Sequence, residues 1–362
     1  MANSVESDMA EEGETTTTMM MKAMVLNRCA PIETRPLELK SIPVPKPKKR
    51  GEVLLEIEAC GVCRSNLHMI EGDWKDEGSP SVLPVVPGHE VVGVVKKADG
   101  AKKVREGDRV GIQPLFSSCL KCGYCNSGKE HLCDDAEITG ESVQGGYAEY
   151  IVANEEFVTA IPDSIDSAHA APLFCPGITA YKAVKASEPA KGRSVGIFGV
   201  GGVGHLAIQM AKMDGARVVA ISRAKKHLDL AKKLGADSTV TYQESTDQFI
   251  KSLKKEEGGL LDSAIVFAPS EKAIDAAVRS VKKGGLVVVG VVGEIPHFYA
   301  FDEKTIRGTV IGSRQDMADL VALAAGRSLE VVVETHRLDE ANDVLARLKH
   351  SEVEARAVLV PP

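Results

Sequence analysis

Two rhythms of apolar positions divide the chain. From residue 22 to about 160 they fall in short β-rich runs, Val53-Leu54-Leu55-Glu56-Ile57-Glu58, Glu90-Val91-Val92-Gly93-Val94-Val95 and Tyr147-Ala148-Glu149-Tyr150-Ile151-Val152. Pro43, Pro45, Pro47, Pro84, Pro87-Gly88 and Gly107-Asp108 punctuate them. Short strands between glycine and proline breaks predict a barrel-like or sandwich-like domain. After about residue 175 the texture changes. A buried strand is predicted over 194–198, and Val203, Leu206, Ala207, Met210 and Ala211 then repeat at helical spacing until Gly215. Further strands are expected over 217–221, 263–267 and 285–289. This alternation predicts a parallel sheet with helices on both faces. Beyond about Ser313 the pattern is helix-rich and ends in the strand-like Ala357-Val358-Leu359-Val360.

The first twenty residues fit neither rhythm. They carry Glu6, Asp8, Glu11, Glu12 and Glu14, then four threonines and methionines. They lack the basic start and apolar stretch of a secretory signal and the arginines of a transit peptide. The expectation is an acidic, disordered tail, with the folded chain starting at Met21 and a cytoplasmic location. The length of 362 residues suits two domains. A net charge of -7 gives no reason to expect nucleic acid or an anionic membrane as partner. No apolar run reaches the roughly 20 residues that span a bilayer.

Without an export signal, the eight cysteines read as metal ligands or catalytic groups rather than disulfides. Cys119, Cys122, Cys125 and Cys133 form the tightest group. Four thiolates in one short loop suit a tetrahedral ion with no open position, hence a structural zinc; an iron–sulfur cluster also takes four cysteines. Cys63, His89 and Cys175 are far apart, but two thiolates and one imidazole are a catalytic zinc set whose fourth position stays free for substrate.

The flanks are Gly61-Val62-Cys63-Arg64-Ser65-Asn66-Leu67-His68, Pro87-Gly88-His89-Glu90 and Leu173-Phe174-Cys175-Pro176-Gly177-Ile178-Thr179. With Gly107-Asp108-Arg109-Val110, Gly145-Gly146-Tyr147-Ala148-Glu149-Tyr150 and the cysteine loop, the chain from Met21 to Pro362 resembles the zinc-containing alcohol dehydrogenases of the medium-chain dehydrogenase/reductase superfamily. The resemblance implies an α/β fold of two domains. A GroES-like, mostly-β catalytic domain would take 21–180 and 315–362, and a Rossmann doubly wound parallel-sheet coenzyme domain 181–314. It also implies two Zn2+ per subunit and hydride transfer through a zinc-bound alkoxide. Cys63, His89 and Cys175 match the catalytic ligands, and Glu90 matches their acidic neighbour. Ser65 matches the hydroxyl that takes the substrate proton, and His68 the outer end of a relay through the ribose. Arg64 and Arg356 match arginines on the cofactor pyrophosphate. The family usually has aspartate at Asn66, where the carboxylate orients the histidine ligand and raises its basicity. The expectation is retained zinc with altered affinity or activity.

Gly199-Val200-Gly201-Gly202-Val203-Gly204 fits G-x-G-x-x-G between a strand and a helix, the context that makes it a pyrophosphate site. The next strand ends in Ser222-Arg223-Ala224-Lys225-Lys226, with no acid for the ribose hydroxyls. Ser222 can bond a 2′-phosphate, and Arg223, with Lys225 or Lys226, can neutralise it, so NADP(H) is expected over NAD(H). Thr179 is expected near the nicotinamide. Trp74, Leu115 and Phe116 are expected to line an apolar pocket for a primary aliphatic or benzylic alcohol and its aldehyde. The alternatives are a polyol or sugar dehydrogenase and an NADPH-dependent aldehyde reductase of the cinnamyl alcohol dehydrogenase type. A homo-oligomer, tetramer over dimer, is expected, with an edge strand from 287–292 and 294–301.

Overall fold

The computed structural model describes residues 18–242, 245–295, 298–327 and 329–362. Its secondary structure resolves into the two predicted textures. Six strands form one parallel sheet, in the spatial order Ser238–Thr241, Arg217–Ser222, Ser194–Phe198, Leu261–Val266, Val281–Val289, Thr305–Gly308. Numbered along the chain this is 3-2-1-4-5-6, the doubly wound dinucleotide-binding order. The order reverses between Ser194–Phe198 and Leu261–Val266, the switch point at which doubly wound sheets place a ligand crevice beyond the carboxyl ends of their strands. Val195, Ile197, Val219, Ile221, Ile265 and Val287 are buried, as continuous apolar strands covered on both faces must be.

The other sheet is mixed, seven-stranded and built around the strand Glu52–Gly61. That strand pairs antiparallel with Glu90–Lys97, with Tyr150–Asn154 and with the C-terminal strand Arg356–Val360. The last pairing brings the chain's end back into the first domain and sets Val358 opposite Gly61 and Leu359 opposite Cys60. Together the two sheets give a GroES-like domain joined to a Rossmann domain. A single apolar cluster runs between them, from Ala59, Val92 and Phe174 to Ile197, Leu206 and Val288.

Local chemistry explains two of the element boundaries. Helix Arg314–Gly326 starts on a capping box in which Ser313 Oγ accepts the Asp316 amide at 3.1 Å and the Asp316 carboxylate accepts the Ser313 amide at 3.0 Å. Helix Arg64–Glu71 stops at Gly72, whose φ of +81° suits a glycine.

Several expectations change. Of the expected tail, residues 1–17 lie outside the described residues, and Met20 already belongs to the strand Met20–Leu26. The strand expected from Tyr147 begins at Tyr150. Gly145-Gly146-Tyr147 instead docks on the segment before His89, with the Gly146 amide on the Gly88 carbonyl at 2.9 Å and the Tyr147 amide on the Pro87 carbonyl at 2.9 Å. A Cβ on Gly145 would lie 2.3 Å from the Gly88 carbonyl oxygen, so only glycine permits this approach. The parallel sheet ends at Thr305–Gly308, not within 287–301. Val281–Val289 is an inner strand there, because its backbone pairs on both sides. No helix among the described residues is long and apolar enough to cross a membrane.

Candidate metal centres and cofactor crevice

The central strand and its neighbours assemble one buried group. Cys63 precedes helix Arg64–Glu71, His89 precedes the strand Glu90–Lys97, and Cys175 opens helix Pro176–Ala186. Ligand atoms of Cys63, His89, Glu90 and Cys175 lie within 4.8 Å of one another, and all four residues are buried. The two sulfurs are 3.8 Å apart. Sulfurs about 2.3 Å from a tetrahedral zinc are separated by about 3.8 Å, so the spacing fits. His89 Nε2 is buried with no hydrogen-bond partner, the orphaned nitrogen expected of a metal ligand. The Cys63 thiol is held well below its usual range, chiefly by its hydrogen bond with Cys175 and then by His89. This favours the thiolate that binds metal.

Glu90 does not compete freely for the metal position. Arg356 Nη2 donates to its two carboxylate oxygens at 2.5 and 2.6 Å and to the Val62 carbonyl at 2.9 Å. Burial still pushes the Glu90 carboxyl up to about 7, against the opposing guanidinium. Gly61 makes room for it, since a Cβ there would lie 1.9 Å from Glu90 Oε2. Cys63, His89 and Cys175, with Glu90 tethered, would offer a metal three ligands and leave its fourth position open.

Around this group the structure gives the expected residues their partners, of which Asp73 and Tyr147 were not read as such from the sequence. Ser65 Oγ lies 3.1 Å from Cys63 Sγ. His68 Nδ1 is 2.6 Å from the Asp73 carboxylate, and the Trp74 ring lies 5.2 Å from the His68 ring. Asp73 follows the helix stop at Gly72, a position that carries no recognisable motif. Asn66 Nδ2 is 3.3 Å from His89 Nδ1, and the Tyr147 hydroxyl donates to Asn66 Oδ1 at 3.5 Å. Phe116 is half-buried, and Leu115 is fully buried in an apolar cluster with Val92 and Phe174.

The second cysteine group fits a closed tetrahedral site. Cys119, Cys122, Cys125 and Cys133 bring their sulfurs within 4.8 Å of one another. Sγ separations are 3.8 Å for Cys119–Cys125 and 3.5 Å for Cys122–Cys125, and all four thiols are free. Backbone amides point at the sulfurs, from Cys122 to Cys119 at 3.3 Å and from Cys125 to Cys122 at 3.5 Å. Amides of Lys121 and Cys122 bring the Cys119 thiol down to about 6. The loop is also tied to the start of helix Arg314–Gly326. Glu130 Oε1 accepts the Arg314 amide at 2.8 Å and its Nε at 3.1 Å.

The glycine turn lies at the switch point. Gly199 has φ +97°, and a Cβ on Gly204 would lie 2.0 Å from the Gly199 carbonyl oxygen. A Cβ on Gly201 would meet no protein atom, so open space lies above it. Helix Gly204–Met213 has no side-chain cap, and its His205 and Leu206 amides are bonded to the Gly201 and Val203 carbonyls at 3.1 and 3.2 Å, so an anion would meet the turn ahead of them. A Cβ on Gly202 would lie 2.6 Å from Arg356 Nη1. Arg356 therefore bridges the two regions, with one nitrogen on Glu90 and the other beside the turn. Arg64 Nη2 is bonded to the Leu348 carbonyl at 2.7 Å. Thr179 is half-buried one turn into its helix, with its amide on the Cys175 carbonyl at 3.0 Å. Ser222 ends its strand almost fully buried and Arg223 is exposed. The Lys226 ammonium bonds the Ser351 carbonyl at 2.8 Å.

Known proteins share this architecture throughout. A family model described as an alcohol dehydrogenase GroES-like domain matches residues 49–163, and one described as a zinc-binding dehydrogenase matches 202–326. An alcohol dehydrogenase of Geobacillus stearothermophilus is 41% identical over 94% of this chain and 98% of its own length. The alcohol dehydrogenase structure of the archaeon Aeropyrum pernix superposes with a TM-score of 0.85 at 32% identity, covering 94% of this chain and 100% of that one. An acetophenone reductase of Geotrichum candidum, solved with NAD, gives 0.80 at 27% identity over 94% and 97% of the two chains. The chain belongs to the zinc-containing alcohol dehydrogenase family of the medium-chain dehydrogenase/reductase superfamily, and alcohol dehydrogenase activity comes with that membership.

Proposed function

We propose that this chain is a zinc-dependent alcohol dehydrogenase that transfers hydride reversibly between a primary aliphatic or benzylic alcohol and NADP(H). One observation carries the reading. Cys63, His89 and Cys175 come from three separate elements to one buried point, with His89 Nε2 unpaired and Glu90 held by Arg356. Cys63, His89 and Cys175 would hold the catalytic zinc, and Cys119, Cys122, Cys125 and Cys133 the structural one. The catalytic ion, when bound, supplies the Lewis acidity that lowers the pKa of an alcohol.

The chain's own side chains then have separate tasks. Ser65, beside Cys63, is placed to take the substrate hydroxyl proton. His68 receives that proton at the outer end of the relay. Its Nδ1–H donates to Asp73, which leaves Nε2 as the accepting nitrogen. Trp74 covers one face of His68 and narrows the approach. Arg64, Arg356, Thr179, Val203 and the glycine turn hold the cofactor at the crevice. At its adenosine end, Ser222 and Arg223 favour a 2′-phosphate where NAD-using proteins place a carboxylate. Family membership alone does not choose the cofactor, since the Geotrichum relative carries NAD. The cytoplasmic location, the homotetramer and the division into 21–180 with 315–362 and 181–314 belong to the same reading.

The test is an initial-rate screen of ethanol, 1-butanol, benzyl alcohol, cyclohexanol, sorbitol and glucose with NADP and NAD. The reading requires primary alcohols and NADP to give the highest kcat/KM. Preference for sorbitol or glucose would establish a polyol enzyme instead, and preference for NAD would overturn the cofactor assignment.

A further inference from the structure

The strand Arg217–Ser222 ends among polar side chains, and one of them entered no reading of the sequence. His227 lies half-buried in helix Lys225–Lys233, with Nδ1 3.4 Å from Ser222 Oγ. The Ala224 amide donates to the same oxygen at 3.4 Å, and the Tyr242 amide donates to the Ser222 carbonyl at 3.0 Å. The end of the strand is therefore fixed by its neighbours before any ligand arrives. The nearby lysines are engaged elsewhere, Lys225 with Asp229 at 2.6 Å and Lys226 with the Ser351 carbonyl at 2.8 Å. Arg223 and His227 remain as the groups beside Ser222 that can still respond to a ligand.

A serine hydroxyl has one proton and can do two opposite things at a ribose 2′ position. It can accept from a 2′-hydroxyl, or it can donate to a 2′-phosphate. If His227 Nδ1 accepts the Ser222 proton, the serine shows the ligand only lone pairs. If His227 Nδ1–H donates to Ser222, the serine O–H is free to donate to phosphate oxygen, a charge-assisted bond. The imidazole can take either role, because its two nitrogens share one proton when neutral. Burial, and then the neighbouring Lys226, hold the ring below its usual pKa, so it stands neutral in the ligand-free protein.

We propose that His227 is a positioning residue that favours a phosphate at the cofactor's 2′ position by donating Nδ1–H to Ser222, which leaves the serine O–H to donate to the ligand. The proposal rests on the NADP(H) reading above and adds to it the residue that makes Ser222 a donor. It also explains how a lone serine can favour a phosphate when the nearby lysines are bonded elsewhere.

Calorimetric titration with adenosine 2′,5′-bisphosphate and with 5′-AMP tests it without turnover. His227→Phe keeps a ring and removes both nitrogens, whereas His227→Asn keeps a polar group near the Nδ1 position. In His227→Phe, affinity for the bisphosphate should fall about tenfold, the loss of one hydrogen bond to a charged group, while affinity for 5′-AMP stays within about twofold. His227→Asn should recover most of the difference. A merely structural role would weaken both ligands equally in His227→Phe. Equal losses, or no loss, overturn the proposal. The wild-type ratio of the two affinities judges the NADP(H) reading by itself, and the change in that ratio on substitution judges His227.

Discussion

Asn66 presents its side-chain nitrogen to Nδ1 of His89 at 3.3 Å, in a buried position where the family usually has a carboxylate. A carboxylate accepts the Nδ1 proton with either oxygen, and so keeps Nε2 available for metal. The amide has only one accepting end, and in this structure that end receives the Tyr147 hydroxyl at 3.5 Å. For Nε2 to bind zinc, the amide must turn so that Oδ1 meets Nδ1–H and Nδ2–H meets the Tyr147 oxygen. A hydroxyl can donate in the first arrangement and accept in the second, so Tyr147 suits both.

Asn66→Asp removes the need for that turn and adds a charge. Zinc affinity at the catalytic site should rise about 10–100-fold, the usual scale of such partners. Competition with a chromophoric chelator measures it. Unchanged affinity would mean that the amide serves His89 as well as a carboxylate does.

Much of this was legible from residues alone, and the exceptions share a cause. The Rossmann strands, the glycine turn and the four-cysteine loop are local patterns, each held within a few tens of residues. The Arg356–Glu90 bond joins positions 266 residues apart through the pairing of Arg356–Val360 with Glu52–Gly61. No local periodicity announces such a contact. Tyr147 was read as a strand residue because its sequence alternates, but the flanking glycines press it onto Pro87 and Gly88 instead. Leu115 was read as a pocket residue, and its burial in an apolar cluster could not be foreseen, because a strand's apolar side chain can face either way. Asp73 was invisible because its meaning depends on where helix Arg64–Glu71 directs His68.

The four-cysteine loop should act on stability before it acts on chemistry. Through Glu130 it grips Arg314 at the start of helix Arg314–Gly326. Cys122→Ser should lose one zinc per chain and lower Tm by roughly 10 °C, a few kcal/mol at about 2–4 °C each. Turnover at low temperature should persist. Calorimetry with elemental analysis checks both, and an unshifted Tm would remove the pinning role.

Exchange of Ser222 for aspartate should reverse cofactor choice. A carboxylate pairs with ribose hydroxyls and repels a 2′-phosphate. The kcat/KM ratio for NAD over NADP should rise at least about tenfold, the worth of one charged hydrogen bond. An unmoved ratio would show that the 2′ end of the cofactor lies elsewhere.

His205 predicts acid sensitivity. It is fully buried in helix Gly204–Met213, its Nδ1 donates to the Gly201 carbonyl at 3.1 Å, and burial lowers its pKa from 6.5 to about 4. The unfolded chain takes up this proton near 6.5, the folded chain only near 4. The contribution to stability is therefore complete above pH 6.5 and is lost as pH falls toward 4. At 1.36 kcal/mol per unit this is about 3 kcal/mol. His205→Asn should flatten the fall in denaturant stability across that interval by this amount. Metal release is common to both proteins and cancels in the comparison. Parallel curves would refute the assignment.

Zinc per chain and benzyl alcohol oxidation, measured in the wild type and in Cys175→Ala, decide whether Cys63, His89 and Cys175 hold the zinc that activates the alcohol, apart from the four-cysteine loop. The wild type should carry two zinc ions, and the variant one zinc with no detectable oxidation. Two zinc ions in Cys175→Ala, or turnover that survives the loss of one, would contradict that assignment.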